Sequence, residues 1–533
     1  MLAGIEVRHK QYEHHRDRAR RRCDDDATMI DLMWICNKIL QFCIQKEVIV
    51  AIRLVRLVLD GTRNVGHGEI DFEDLPQGGS VTGIYGQNGS GKTTVIDAIG
   101  VLRRLLAGEP LDSTSGDIVS ADAGRAAITA TWRIGDGADR RFLEYRAELA
   151  ASPAHPERAK VTGESVRIGA TVGRLGRAVL AHRREEGEFV STPAYVWRSV
   201  MRAPSVRAAL TRTEEHAYME GRSFLFSRLV TLDDEPGEQA DWAVDWAVRQ
   251  AAASADTSAR VLDYFRRRLG EFTRLRAMLQ HYATHDIFVS TTRRSATAAY
   301  AFIPILEEDG DDDTSEFMFD LLKPVPLTGA QTARLERTVE SFDRILPTIV
   351  PGLHIRVRKH YAGMGEDGED RIDAELLSVR GDTVIPFRCE SEGIIRITAL
   401  LGYLRHAYVD GDALVAIDEF DSGVFELLLG DMLVQIADGC EGQLVFTAHN
   451  LRAMEVLPDS CIRTTLTDPG QRFATIGRRS ASNNQRKRYL TISEFGWDRP
   501  DVYDRPQPRM FGNSLLLAGS ADTDGQGQGE EDR

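Results

Sequence analysis

Cysteine is scarce in this chain, with six residues in 533, at Cys23, Cys36, Cys43, Cys389, Cys440 and Cys461. None forms a C-x-x-C pair or has the Cys/His spacing of a zinc site, which argues against a metal centre and against a disulfide framework. A reducing cytoplasm is the expected location. Long apolar runs are also missing. The most apolar N-terminal stretch, Met29–Ile52, is broken by Asp31, Lys38, Lys46 and Glu47, so neither a spanning helix nor a secretory h-region is expected, and no membrane insertion. Positive charge is in deficit: 66 basic residues face 81 acidic ones, for a net charge of −15. The chain as a whole therefore has no electrostatic footprint for nucleic acid, although a local basic groove is still open to it. What remains is a length sufficient for about two to four domains, and 42% hydrophobic residues with which to build a sizeable core.

Within that chain one stretch carries chemistry outright. Gly86-Gln87-Asn88-Gly89-Ser90-Gly91-Lys92-Thr93 matches G-x-x-x-x-G-K-[ST]. The glycines let backbone N–H groups approach a polyphosphate, and the positive end of the following helix faces the same anion. Lys92 is placed to reach the β and γ phosphates and the Thr93 hydroxyl to bind Mg²⁺. Val81–Tyr85 is expected as the buried strand that delivers the loop. From Thr94 onward, apolar residues at 95, 96, 98, 99 and 102 give a helix packed on a sheet. The competing reading, a glycine-rich turn that happens to carry Lys-Thr, lacks a reason for this strand and helix on either side.

Along the chain, residues 1–47 are an N-terminal extension expected to be poorly ordered. Its His9–Arg22 run is rich in Arg and His, and a basic arm for nucleic acid is the alternative to a solvated tail. A natural start further on, at Met29 or near Val48, is a further expectation. Residues 48–195 are expected to form the N-terminal half of the domain that carries the phosphate loop. In it, Glu47–Leu59 and His67–Phe72 read as two strands entering the same sheet as the loop strand, and Ala126–Ile134 with Arg140–Leu149 as a hairpin turning at Gly135-Asp136-Gly137. Residues 150–180 give little. Residues 196–300 read as a compact helical insertion, with Arg266-Arg267-Arg268 and Arg274/Arg276 on a solvated face.

Gly310–Asp313 marks a loop without EF-hand spacing. In residues 301–490, the C-terminal half, Thr328 caps a helix to about Leu346, and strands follow at Leu353–Lys359, Ile372–Val379 and Thr383–Arg388. Residues 491–533 form a tail that is largely disordered by composition.

Ala413-Leu414-Val415-Ala416-Ile417-Asp418-Glu419 is an apolar run closed by two carboxylates, as a buried parallel strand presents acids at its C-terminal end. In a nucleotide site Asp418 would hold the Mg²⁺ shell and Glu419 would polarise a water against the γ-phosphate. Gln443–Thr447 is a further strand, ending at Ala448-His449-Asn450. A lone histidine after a strand is commonly structural; His449 gains interest from its place after the acidic strand and one helix, Val424–Ala437.

The order Gly86–Thr93, Glu390-Ser391-Glu392-Gly393, Ile417-Asp418-Glu419, Asp421-Ser422-Gly423, Thr447-Ala448-His449-Asn450 resembles an ABC-type ATPase of the RecF/SMC/OLD group. More narrowly, it resembles the bacterial RecF-like AAA-family ATPases found alone and in anti-phage systems. The resemblance spans roughly residues 48–480. It implies an α/β fold, a P-loop NTPase of ABC-ATPase type whose mixed β-sheet core carries an antiparallel β-subdomain and a helical insertion. It implies ATP and Mg²⁺ as cofactors, held by Gly86 through Thr94, with Thr93 and Asp418 on the metal. Glu419 is then the catalytic base and His449 the switch histidine. Ser391 and Gly393 contact the γ-phosphate bound to the opposite subunit of a homodimer closed by ATP, and Asp421 lies in the loop that speaks across it.

Two departures stand out. No Gln occurs between Thr94 and Glu238 to serve as the family's glutamine loop, and Ser391-Glu392-Gly393 replaces a Ser-Gly-Gly run. The stretch from Thr93 to Asp418 is too long for a transporter cassette and too short for SMC arms, and too little follows His449 for the Toprim nuclease domain of OLD proteins. Three readings result: a dimeric ATP-hydrolysing switch that regulates a partner effector, in phage defence or mobile-element function; a RecF-like clamp that grips DNA for repair; and a weakly hydrolysing ATP-binding scaffold.

Overall fold

The structure, a computed structural model, describes residues 51–475 except 77, 138–139, 186–187, 231–241, 255–256, 292–300, 306–316 and 366–369, and beyond these only 486, 489, 490 and 514. The extension at 1–47, nearly all of the 491–533 tail and the Gly310–Asp313 loop lie outside the described residues.

A six-stranded sheet runs in the order Phe473–Ala474, Ile462–Thr465, Ser80–Tyr85, Gln443–Thr447, Leu414–Ile417, Ile287–Ser290. All neighbours are parallel except the short Phe473–Ala474 edge. Ser80–Tyr85, Leu414–Ile417 and Gln443–Thr447 are buried at every position, as parallel strands covered on both faces must be. On one face lies the helix Lys92–Ala107, which fills its apolar stripe with Val95, Ile99, Leu102 and Leu106. The helices Glu392–Val409 and Glu426–Gly439 cover the other through Leu400, Leu404, Leu429 and Leu433. Pairing of Thr447 with Ile84 and of Ile417 with Phe446 brings the C-terminal ends of three strands to one rim.

The first two strands depart from expectation. Ile52–Thr62 and Val65–Asp71 do not join the phosphate-loop strand; they belong to a separate seven-stranded antiparallel sheet with Ala126–Ile134, Arg141–Ala151, Ala159–Gly169, Leu180–Glu185 and Glu188–Thr192. The reason is the long antiparallel ladder of Ile52–Thr62 with Ala126–Ile134 on one side and with Val65–Asp71 on the other. The hairpin expected around Gly135–Gly137 is present, with Ile134 opposite Arg141. Ala159–Gly169 was illegible because the register slips opposite Glu148/Leu149 and shifts the apolar alternation by one residue.

Several side chains tie the two sheets, among them Arg463, which donates to Asp71 O at 2.5 Å, and the buried Gln443. The Gln443 amide accepts from Leu54 N at 2.8 Å and donates to Leu54 O at 3.0 Å, both buried, and so acts as a neighbouring strand where the Ile52–Thr62 ladder is irregular.

The helical stretch contains Pro204–Glu220, Ala243–Ala253, Ala259–Tyr264 and Gly270–His285, the last two joined by a π-helical turn at Phe265–Leu269. Its aromatics share one core with Trp132 and Tyr145 of the antiparallel sheet. Ile287–Ser290, inside the stretch read as the insertion, is instead an edge strand of the parallel sheet. Arg276 is also corrected: it is 2% exposed, paired with Asp245 and stacked 4.2 Å from the Trp242 ring, whereas Arg266, Arg267 and Arg274 are exposed. Beyond it, Thr328 caps Gly329–Ile349 through a capping box, and this helix packs on a small antiparallel sheet of Val325–Leu327, Asp370–Arg380, His354–Met364 and Thr383–Pro386.

Replacing Gln443 by Leu strands the Leu54 N–H and C=O in the interior. At ~1–3 kcal/mol per unsatisfied buried group, urea unfolding should show a loss of ~2 kcal/mol or more; an unchanged midpoint would contradict the pin.

Candidate nucleotide site

The site is assembled at the rim where the strands end. Gly86 leaves the loop strand at φ 157°, and a Cβ there would lie 1.6 Å from Thr465 Oγ1, so only glycine passes. Thr465 in turn donates to Ser90 Oγ at 2.6 Å, making the neighbouring strand the floor of the loop. Asn64, in the turn between the first two strands, donates to Gly89 O, and Arg472 holds Asn64 O at 2.6 Å. Asn88 and Gly89 stay exposed at the tip.

Lys92 curls back over the loop, its Nζ donating to Gly86 O at 2.9 Å and Gln87 O at 3.1 Å. It is 7% exposed. Burial lowers its pKa, opposed by the carboxylates of Asp418, Glu419 and Asp421. The helix begun by Lys92 has no side-chain cap and no acidic residue in its first turn. Uncapped N–H groups under a helix N-terminus beside a lysine form a donor set that fits a polyphosphate. Thr94 faces inward and is buried.

The acidic strand meets this loop directly. Thr93 Oγ1 donates to Asp418 Oδ1 at 3.1 Å, and Thr447 Oγ1 donates to the same oxygen at 2.6 Å. Asp418 is 1% exposed. A hydroxyl and a carboxylate this close are a pair of oxygen ligands of the kind Mg²⁺ takes alongside phosphates. Glu419 is half-buried and sits at φ 49°, one of two non-glycine residues among those described that adopt the left-handed region. Asp421 accepts from His449 N at 2.9 Å and Asn450 N at 2.6 Å, so within one chain it fixes the turn that presents the exposed His449.

Ser391 and Gly393 make their contacts away from the loop. Ser391 is the exposed N-cap of Glu392–Val409, accepting from Ile394 N at 3.5 Å. Gly393 rests against the turn after Glu419; a Cβ there would come within 2.4 Å of Gly423 O. Sequence reasoning missed Thr447 as a site residue, and also Arg396, Thr465 and Arg472. Of these, Arg396 left a signal, as a lone charge among Ile394, Ile395 and Ile397.

A phosphate loop and an acidic strand end, separated in the sheet by the strand that leads to His449, make a site whose donors and carboxylates fit a nucleotide with its metal. Residues 56–141 match the family model described as AAA domain. No curated protein matches the chain. Among solved structures, the chain is similar to the Smc head domain with an extended coiled coil from Pyrococcus furiosus, bound to the C-terminal domain of ScpA (11% identity, 80% of this chain and 96% of that one, TM-score 0.34). It is similar to the SMC head domain from Thermotoga maritima (14%, 80% and 100%, 0.32) and to the recombination mediator protein RecF with ATP (11%, 78% and 97%, 0.32). The matched AAA segment contains the whole phosphate loop, Gly86–Thr93.

Gly86→Ala forces the loop off the Thr465 floor. Overpacking of this kind costs ~1–3 kcal/mol, so the thermal midpoint should fall measurably; a wild-type midpoint would place the loop differently.

Proposed function

We propose that this chain binds ATP with Mg²⁺ and hydrolyses it, and that it works in the cytoplasm as a dimeric switch that regulates a partner effector protein. The contact of Thr93 with Asp418 carries the reading, because it joins phosphate loop and acidic strand into one site. Lys92 would exchange its two loop carbonyls for the β and γ phosphates, and Thr93 and Asp418 would hold the metal. Bound Mg²⁺ supplies charge neutralisation on the phosphates. Glu419 is positioned as the base that takes a proton from the attacking water, with His449 hydrogen-bonding the γ-phosphate.

Ser391, exposed at a helix N-terminus, with the half-buried Gly393 beside it, is suited to meet the nucleotide of a second copy. ATP would then close a homodimer, and hydrolysis would open it. Among the described residues no helix is long and apolar enough to cross a membrane. A role in phage defence or on a mobile element is the biological setting we favour.

Glu419→Gln should bind ATP with near wild-type affinity and turn over at least about a hundredfold more slowly, the size expected for loss of a general base. Turnover close to wild type would move the base elsewhere. Ser391→Arg should leave monomer binding of ATP intact and stop hydrolysis; unchanged hydrolysis would contradict a site completed by the second copy. In the Glu419→Gln dimer, co-purification of nuclease-sensitive nucleic acid in place of a specific protein would replace the effector reading with a DNA clamp.

A further inference from the structure

The peptide unit joining Asp418 to Glu419 is gripped from both sides, by Arg396 and by Thr447. Its carbonyl, Asp418 O, accepts from Arg396 Nη2 at 3.1 Å in the interior. Its N–H, on Glu419, donates to Thr447 Oγ1 at 2.8 Å. The residue that follows this peptide is Glu419 at φ 49°, a conformation that disfavours a side chain and costs of order 1 kcal/mol. Such a conformation persists where its surroundings over-determine it. Further contacts complete the frame: Asp418 N donates to Ser290 O at 2.9 Å, Phe420 N to Thr447 O at 2.9 Å, and Ser422 N to Glu419 O at 3.0 Å.

Arg396 is 3% exposed and belongs to the helix Glu392–Val409, one turn beyond Gly393. The same helix therefore touches the 418–423 turn twice, through Gly393 against Gly423 and through Arg396 on the Asp418 carbonyl. We propose that Arg396 is a positioning residue: with Thr447 it holds Glu419 in its left-handed conformation, aimed at the nucleotide, and it ties that aim to the helix whose N-terminus carries Ser391. A helix of this length moves as a rigid rod, so displacement at its N-terminus reaches the Asp418–Glu419 peptide through Arg396. Release of the carbonyl lets the peptide rotate and Glu419 relax toward an ordinary conformation, without disturbing Lys92, Thr93 or the Asp418 carboxylate. The inference rests on Glu419 acting as the base.

The test compares wild type, Arg396→Met and Arg396→Lys in steady-state ATP hydrolysis, ATP affinity and amide hydrogen exchange of Glu419. Arg396→Met is expected to keep its ATP affinity within about threefold and to lose about tenfold to a hundredfold in kcat, the scale of a misplaced catalytic group. Exchange at the Glu419 amide should be faster in Arg396→Met, and Arg396→Lys, which can still donate to the carbonyl, should recover part of kcat. Unchanged kcat in a folded Arg396→Met protein, or an equal loss of affinity and kcat, overturns the proposal. Should Arg396→Met fail to fold, Arg396→Lys against Arg396→Leu, which has no donor, gives the same comparison, with equal kcat in the two as the contradicting result. Wild-type protein that binds ATP but does not hydrolyse it overturns the reading of Glu419 as base; the exchange rate of its amide, measured separately, still decides whether Arg396 holds the peptide.

Discussion

The structure depends on keeping one carboxylate, Asp418, dry and satisfied at the end of a fully buried strand. Removing a carboxylate from water costs several kcal/mol unless hydrogen bonds and opposite charge replace the solvent. Here one oxygen of Asp418 takes the hydroxyls of Thr93 and Thr447, and the Lys92 ammonium lies close enough for the three acids of the rim to act on it. Lys92 and Thr93 come from the start of the loop helix and Thr447 from the central strand. Each of these elements must therefore sit where the carboxylate requires, and the strand order of the parallel sheet is what lets them.

The scaffold meets that demand by rigid neighbours. The Gln443–Thr447 strand lies between the loop strand and the acidic strand, and both its ends are used. At its start, the Gln443 amide pins the antiparallel sheet; at its end, Thr447 serves Asp418 with its hydroxyl and Glu419 by accepting its N–H. The turn that follows is fixed by Asp421, so His449 inherits its place from a carboxylate three residues beyond Asp418. The Arg276–Asp245 pair under Trp242 does comparable service far from the rim, tying the helical layer together at a position where the sequence pattern suggests a solvated arginine.

Much of the site is legible in the sequence because its parts are short and locally determined. The phosphate loop needs glycine at set positions, and a buried parallel strand that ends in two acids is a pattern with few other uses. The capped helix after Thr328 and the hairpin at Gly135–Gly137 are equally local. What escapes reading depends on contacts between distant segments. Nothing in the alternation of Ile52–Thr62 says which sheet it enters; that is settled by its long ladder with Ala126–Ile134. Ile287–Ser290 is too short to announce itself as a strand beside Leu414–Ile417. Thr465 and Arg472 acquire roles only through neighbours hundreds of residues away, and Thr447 through Asp418 and Glu419, 29 and 28 residues before it.

Titration calorimetry of MgATP into wild type and Lys92→Ala, with Glu419→Gln as a binding-competent control, addresses the central claim most directly. If phosphate loop and acidic strand form one nucleotide site, wild type and Glu419→Gln bind ATP and Lys92→Ala does not, since it lacks the charge that faces the β and γ phosphates. Equal ATP affinity in all three would contradict the account.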